Sequence, residues 1–227
     1  MKKIIYILIL FTTIISCSKN NSLIVNKGLE LKILNDSILS YDAKAKKTYK
    51  NIIYSTITNK TNEKIILLPI SPFGFRNGYL SYENVGILNT KNNKEIPLGI
   101  GFHFIENDLN NCIDIEMSDF KQELGYKKRK KSNLMYFYEN NKIVIHPKET
   151  LYFESSLSLP DNTKRNFQRV ELNKENQYKL FLSVKIDTAF YKERLTNSTL
   201  RTIKENNYKL FHGTITSENS VPIVFKN

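Results

Sequence analysis

Apolar and polar side chains alternate one by one along several short stretches of this chain, and this pattern limits the fold more than any other feature. Within residues 151–159 the odd-numbered positions are mostly leucine or phenylalanine, and the even-numbered positions are tyrosine, glutamate or serine. The same alternation recurs in residues 180–186 and 221–225. A period of two places one set of side chains on a core face and the other set outward. These segments are therefore predicted to be β-strands with one buried face.

Further strands are predicted where β-branched and aromatic residues are concentrated between turn-forming residues. Asn59 to Glu63 supply such turn chemistry between two of these runs. The additional predicted strands cover residues 28–34, 50–58, 64–70, 78–82, 100–105, 134–138, 142–146 and 208–217. Many short strands separated by turns indicate an all-β fold, built as an antiparallel β-sandwich.

Two stretches resemble immunoglobulin-like modules of bacterial envelope proteins. One is the strand–turn–strand of residues 56–65, and the other is the turn His146-Pro147-Lys148-Glu149 ahead of the next strand. In such modules the third position of this turn is usually glycine, and here it is Lys148. The resemblance implies an immunoglobulin-like sandwich. The chain has no tryptophan, so it departs from the antibody type.

Two other segments break the strand pattern. Residues 106–133 are polar and are predicted to form a long loop, a feature that is usually functional or disordered. Residues 188–206 place three apolar residues at roughly helical spacing, which predicts one short helix. Since no linker or repeat interrupts the chain, residues 23–227 are predicted to form a single domain.

The N-terminus has the organisation of a secretory signal peptide. Two lysines are followed by an almost unbroken apolar run from Ile4 to Ile15, and then by Ser16 and Cys17. The sequence Ile-Ile-Ser-Cys resembles the lipobox of bacterial lipoproteins, including those of Bacteroidota. This resemblance implies that residues 1–16 are removed and that the Cys17 thiol is acylated. A transmembrane helix is the alternative, but a span needs about 20 apolar residues.

The residues after the lipobox predict where the protein resides. Residues 17–22 would be the lipidated cysteine and a short polar tether. Ser18 replaces the aspartate that retains many lipoproteins in the inner membrane, so the resemblance implies the outer membrane. The tether has no acidic residue of the kind that marks surface export in Bacteroidota, which favours the periplasmic face.

The chain carries a formal net charge of +12, and its sharpest basic feature is the run Lys127-Lys128-Arg129-Lys130-Lys131. Export excludes nucleic acid as a partner, whereas anionic lipid or lipopolysaccharide phosphates lie near an anchored protein. The run is therefore a candidate anion-binding loop. Its alternative is a solvated loop in a chain whose Lys-, Asn- and Ile-rich composition follows from an AT-rich genome.

No motif for catalysis or metal binding is present. His103, His146 and His212 are far apart in sequence, and strand histidines with satisfied hydrogen bonds are the simpler interpretation. Cys112 has no partner once Cys17 is acylated, so no internal disulfide is expected and its role stays open. No metal and no cofactor are predicted. Ser37 and Thr188 fit the Asp-Ser/Thr-apolar acceptor pattern of O-glycosylation in Bacteroidota envelope proteins.

Three functional hypotheses follow from these features. The first is a non-enzymatic binding or structural module of the cell envelope, held at the outer membrane and facing an envelope protein or glycan. The second is a protease-inhibitor or immunity-type lipoprotein, and the third is a hydrolase of an envelope polymer. The lack of a nucleophile motif favours the first two over an enzyme, and a fold alone does not separate them.

Overall fold

The fold is described from a computed structural model, for residues 24–25, 27–45, 47–69, 84–96, 129–160, 170 and 172–226. In chain order the strands of this part are β1 (Ile24–Val25), β2 (Leu29–Ile33), β3 (Ile38–Tyr41), β4 (Tyr49–Asn59), β5 (Ile65–Leu67), β6 (Val85–Asn89), β7 (Lys94–Ile96), β8 (Ile143–Ile145), β9 (Thr150–Leu159), β10 (Tyr178–Ile186), β11 (Lys209–Phe211), β12 (Gly213–Thr216) and β13 (Val221–Lys226). The helices are α1 (Arg129–Asn141), α2 (Tyr191–Arg194) and α3 (Asn197–Glu205), with a short 3-10 turn at Ala43–Ala45.

Two sheets form the sandwich. One has the antiparallel order β2-β4-β9, and the other has the order β3-β13-β10-β6-β7, with β12 paired to the end of β10. In the second sheet only the β3–β13 pair is parallel. The alternation predicted for residues 151–159, 180–186 and 221–225 is confirmed, because the predicted apolar positions from both sheets are mostly buried in one cluster. The all-β sandwich class is thus confirmed.

A third sheet of order β1-β11-β5-β8 closes one end of the core. Its central strand β5 is buried on both faces, which explains the unbroken apolar run at residues 65–68. Ile65 and Leu67 belong to the sandwich core, whereas Ile66 faces the other way and packs with the helices.

The helices cover the outer face of this third sheet. Tyr138 of α1 and Ile203 of α3 pack in one cluster with Ile66, Leu68 and Leu210. The strand predicted for residues 134–138 is therefore wrong, because these residues belong to α1. Their aromatic side chains have β-propensity, but here they lie on a helix that packs against the third sheet. Helical structure within residues 188–206 is confirmed, but the single helix predicted there is two helices, α2 and α3, which are separated by Leu195 and Thr196.

The predicted basic loop also needs correction. α1 begins at Arg129, so Arg129, Lys130 and Lys131 belong to a helix and not to a loop. Lys127 and Lys128 lie outside the described residues, as do the strands predicted at 78–82 and 100–105. The predicted strand at 208–217 divides at His212 into β11 and β12, which join different sheets.

The Glu139 side chain joins α1 to the start of α3. Its carboxylate accepts the Thr196 N–H at 2.8 Å and the Thr199 hydroxyl at 2.8 Å. The Lys142 ammonium donates to the same carboxylate at 2.6 Å. Burial acts to raise the pKa of Glu139, but these donors outweigh it and hold that pKa below its ordinary value of 4.5. Glu139 thus supplies hydrogen-bond acceptors at the start of a helix, where free N–H groups need them.

Asparagine amides bond to strand edges as a neighbouring peptide would. Asn51 of β4 accepts the Leu39 N–H at 2.8 Å and donates to the Leu39 carbonyl at 2.8 Å. Asn219 does the same for both backbone groups of Ile33, at 2.9 and 2.8 Å. These amides satisfy edge groups of β3 and β2 that would otherwise be left unpaired.

The turn before β9 adopts the backbone conformation that its glycine-like position requires. Lys148 has a φ of 61°, in the left-handed region that glycine prefers. Its ammonium donates to the Lys60 carbonyl at 2.6 Å, and the Glu149 carboxylate accepts the His146 N–H at 2.6 Å. A lysine thus occupies a left-handed position in this turn, and two side-chain hydrogen bonds hold the turn in place.

Candidate functional site: an apolar sheet face

Several residues singled out in the sequence lie outside the described part of the chain. They are Cys17, His103, Cys112, Lys127 and Lys128. Arg129, Lys130 and Lys131 are placed in α1 by their backbone only. Lipidation at Cys17 and anion binding by the basic run therefore stay predictions.

The two glycosylation candidates differ in accessibility. Thr188 is only 3% exposed, and its hydroxyl lies 3.1 Å from His212 Nδ1. This placement weighs against modification of Thr188 in the folded domain. Ser37 is half-buried in the turn before β3, so its hydroxyl is not enclosed in the same way.

His212 forms a polar cluster with Asp187 and Thr188. Its Nδ1 accepts the Thr188 N–H at 3.3 Å and lies 3.9 Å from the Asp187 carboxylate. Asp187 also meets the Arg194 guanidinium at 3.4 Å, and Arg194 lies 5.0 Å from the centre of the Tyr138 ring. An open cleft of about 300 Å³ lies beside this cluster, between the end of β10 and the start of β12.

This cluster does not have the geometry of a nucleophile–histidine–carboxylate relay. Such a relay needs the hydroxyl on one ring nitrogen and the carboxylate on the other. Here both Thr188 and Asp187 approach the same nitrogen of His212. The cluster therefore fixes the connection between β10, α2 and β11 and does not activate the threonine.

A second arrangement lies on the outward face of the β2-β4-β9 sheet. Four large hydrophobic side chains are exposed there: Leu34 by 46%, Ile52 by 51%, Tyr54 by 41% and Tyr152 by 74%. We call these four residues the apolar face. Of the six large hydrophobic residues that are exposed in the described part of the chain, they are the ones that share a surface; Phe190 and Val224 lie elsewhere.

The strand register brings the apolar face together. The Leu34 N–H donates to the Tyr54 carbonyl at 2.8 Å, so Leu34 lies beside Tyr54. Ile52 lies two residues from Tyr54 on the same side of β4. Tyr152 of β9 is directly opposite Thr56, which places it diagonally across from Tyr54.

Polar groups border the apolar face. Glu154 is directly opposite Tyr54, and Lys32 is directly opposite Thr56. Thr56 itself is only 7% exposed although it points outward. The face thus combines hydrophobic contact area with hydroxyl and charged groups at its rim, which suits reversible contact with another molecule.

The period-two pattern already contained the signal for this face. It assigns Tyr152 to the outward set of its strand, and an outward tyrosine on a strand is an exposed aromatic residue. The sequence did not show that Leu34, Ile52 and Tyr54 share one surface with Tyr152, because that depends on the register between three strands.

The described residues contain no group of three or more His, Cys, Asp or Glu side chains placed to hold a metal ion. Within the same residues, no helix combines the length and hydrophobicity that a bilayer span requires.

The chain matches no protein-family model, and neither the curated proteins nor the solved structures contain a significant match to it. The functional argument therefore depends on the sequence and on the geometry described above.

Proposed function

We propose that this protein is a non-enzymatic binding module of the cell envelope, anchored at the outer membrane by acylation of Cys17 and facing the periplasm. The module is an immunoglobulin-like sandwich that binds a partner protein through the apolar face. The grouping of Leu34, Ile52, Tyr54 and Tyr152 on one sheet surface is the observation that carries the proposal.

Clustering matters because isolated exposed hydrophobic residues are normal on soluble proteins, whereas grouped ones mark interaction sites. A protein partner is favoured over a glycan by Leu34 and Ile52, whose aliphatic side chains contribute burial and not ring stacking. Tyr54 and Tyr152 add the aromatic residues in which protein interfaces are enriched. Their hydroxyl groups and the nearby Glu154 can provide hydrogen bonds at the rim.

Binding can be tested by site-specific photocrosslinking in the native envelope. A photoreactive phenylalanine analogue replaces Tyr152 in one strain and Val224 in a second strain. Val224 is the matched control, because it is 45% exposed on the outer side of the other sheet. We expect a discrete adduct from position 152 that is absent from position 224, and that weakens when Ile52→Ser and Tyr54→Ser are added.

The control measurement is the stability of the Ile52→Ser/Tyr54→Ser protein, since both side chains are already about half exposed and their loss should leave folding nearly intact. Identical adducts from positions 152 and 224, or no adduct from either, would refute binding by the apolar face.

The anchor is tested separately. Mass spectrometry of the N-terminal peptide should show acyl chains on Cys17, and Cys17→Ala should leave the leader uncleaved. Two or three acyl chains hold a protein at a bilayer almost permanently, since each buried methylene contributes about 0.8 kcal/mol. An unmodified thiol at Cys17 in the exported protein would refute the anchor.

A further inference from the structure

We infer that one end of the domain, the end at which the N-terminal tether joins the third sheet, rests on the anionic phospholipid surface of the membrane. This inference depends on the proposed lipid anchor at Cys17. It assigns to this end a role that is separate from that of the apolar face.

The tether is short, and its attachment point is fixed. β1 pairs in parallel with β11, with Ile24 opposite Leu210 and Val25 opposite Phe211. Seven peptide units separate Cys17 from Ile24, so a fully extended chain would span at most about 25 Å. The N-terminal end of β11 therefore stays within that distance of the lipid headgroups.

Contacts between neighbouring strands and turns identify the side chains at this end. The Lys209 N–H donates to the Lys64 carbonyl at 2.7 Å, and the Lys64 ammonium lies 5.6 Å from the centre of the Tyr208 ring. The Tyr208 and His146 rings are 6.4 Å apart. Through the turn described above, Lys148 adds a further cation. We call these five residues the tether end.

The tether end has the chemistry of a membrane interface. A half-buried lysine such as Lys64 can extend its ammonium group toward lipid phosphates. Tyrosine is enriched at the headgroup level of bilayers. The local charge is positive but modest, because Lys27 and Lys60 add to the three lysines while three glutamates oppose them. These are Glu30, Glu63 and Glu149.

Tethering makes a modest attraction effective. An anchored domain meets the membrane at a high effective concentration, so contacts that are too weak to recruit a free protein can still set its orientation. Screening confines these contacts to about 8 Å from the surface at physiological ionic strength. The part of the domain nearest the tether meets this condition most often, because the tether limits its distance from the headgroups.

The opposite end provides an internal control. β4 has 11 residues, and Asn59 at its tether end is about 34 Å from Tyr49 at its other end. Lysines also lie beside aromatic rings at that far end: Lys226 is 4.6 Å from the Tyr49 ring and Lys47 is 5.8 Å from the Tyr41 ring. The two ends thus resemble each other in composition and differ in their distance from the tether.

The experiment is amine footprinting of the full lipidated protein on vesicles. A membrane-impermeant acylating reagent is applied to protein on vesicles of phosphatidylethanolamine with phosphatidylglycerol, and to protein on neutral phosphatidylcholine vesicles. Mass spectrometry then gives the reaction rate of each lysine. We expect the anionic vesicles to slow Lys64, Lys148 and Lys209, and the neighbouring Lys60, by about fivefold each. Lys47 and Lys226 should react at unchanged rates.

Charge-reversal variants give the second readout. Lys64→Glu/Lys148→Glu/Lys209→Glu should abolish the protection of Lys60, whereas the far-end variant Lys47→Glu/Lys226→Glu should retain it. Equal protection of both ends, or protection of neither, overturns the inference. The mass of the N-terminal peptide is recorded on the same samples, because an unlipidated Cys17 would refute the anchor itself and with it this orientation.

Discussion

The amide of Asn51 gives the sharpest test of how this fold is held together. We expect Asn51→Ala to destabilise the domain strongly, because this one side chain serves as the hydrogen-bonding partner of both backbone groups of Leu39. Asn51 is 6% exposed, so water cannot easily take its place. The matched control is Asn35→Ala. Asn35 makes a similar pair of contacts, accepting the Tyr54 N–H at 2.8 Å and donating to the Ile52 carbonyl at 2.9 Å, but these hydrogen bonds are exposed to solvent.

The magnitude follows from the number of bonds and from burial. The two hydrogen bonds to Leu39 cost about 1 kcal/mol each when lost. The Asn51 amide also makes longer hydrogen bonds to the Leu157 and Tyr49 carbonyls, at 3.4 and 3.5 Å, and leaving these partly buried backbone groups unpaired adds about 1 kcal/mol or more. The total is about 3 kcal/mol for Asn51→Ala. Water replaces the amide at Asn35, so that variant should lose about 1 kcal/mol or less. For a domain of this size each kcal/mol lowers Tm by about 2–4 °C, so the two variants should differ clearly.

Urea unfolding of both variants and of the wild type measures these free energies, and hydrogen exchange of the Leu39 amide reports the local effect. That amide should exchange much faster in Asn51→Ala and at the wild-type rate in Asn35→Ala. Equal losses of stability in the two variants, or a loss under 1 kcal/mol for Asn51→Ala, would show that burial of the amide does not matter as we argue.

Three further predictions concern single side chains. Because the folded-state pKa of Glu139 is lowered, its contribution to the free energy of unfolding is present above its ordinary pKa of 4.5 and is lost as the pH falls through the folded value. Glu139→Gln should therefore destabilise the domain at neutral pH, and the difference in unfolding free energy from wild type should shrink when unfolding is measured in acid. Ser155→Ala should raise the free energy of unfolding by about 1 kcal/mol, since the buried Ser155 hydroxyl has no hydrogen-bond partner; a loss of stability in urea would contradict this. Lys148→Gly should raise the free energy of unfolding by about 0.5 kcal/mol, because glycine relieves the strain of the left-handed backbone (φ of 61°) and this gain exceeds the loss of one surface hydrogen bond. A lower midpoint in thermal melts would show that the hydrogen bond contributes more than the strain.

The sequence predicted the strands that bury one face and missed the elements whose state is decided by their neighbours. The long strands β9 and β10 alternate as expected, because each has one face in the core. The segment from Leu134 to Tyr138 looked like a strand, since the position of the third sheet beneath it was not encoded in its local pattern. β3, β6 and β7 were not predicted at all, being short and only partly alternating.

The candidate site could likewise be predicted only in part. Outward placement of Tyr152 could be predicted from a period of two, but its grouping with Leu34 and Ile52 needs the register across three strands. The roles of Asn51 and Asn219 were also hidden, because an asparagine-rich composition first indicates genome bias. Their function depends on facing an unpaired strand edge, 12 residues away for Asn51 and 186 residues away for Asn219.

The pairing of the first strands with the last ones has a consequence for the order of folding. β1 pairs with β11 and β3 pairs with β13, in which Ile38 is matched to Ile223. A chain that is synthesised or exported from its N-terminus must therefore deliver nearly its whole length before these strands find their partners. Until then β1 and β3 lack their sheet partners and stay accessible to processing enzymes and chaperones, whereas β2 can already pair with β4. Completion of the fold is thereby coupled to arrival of the C-terminal strand.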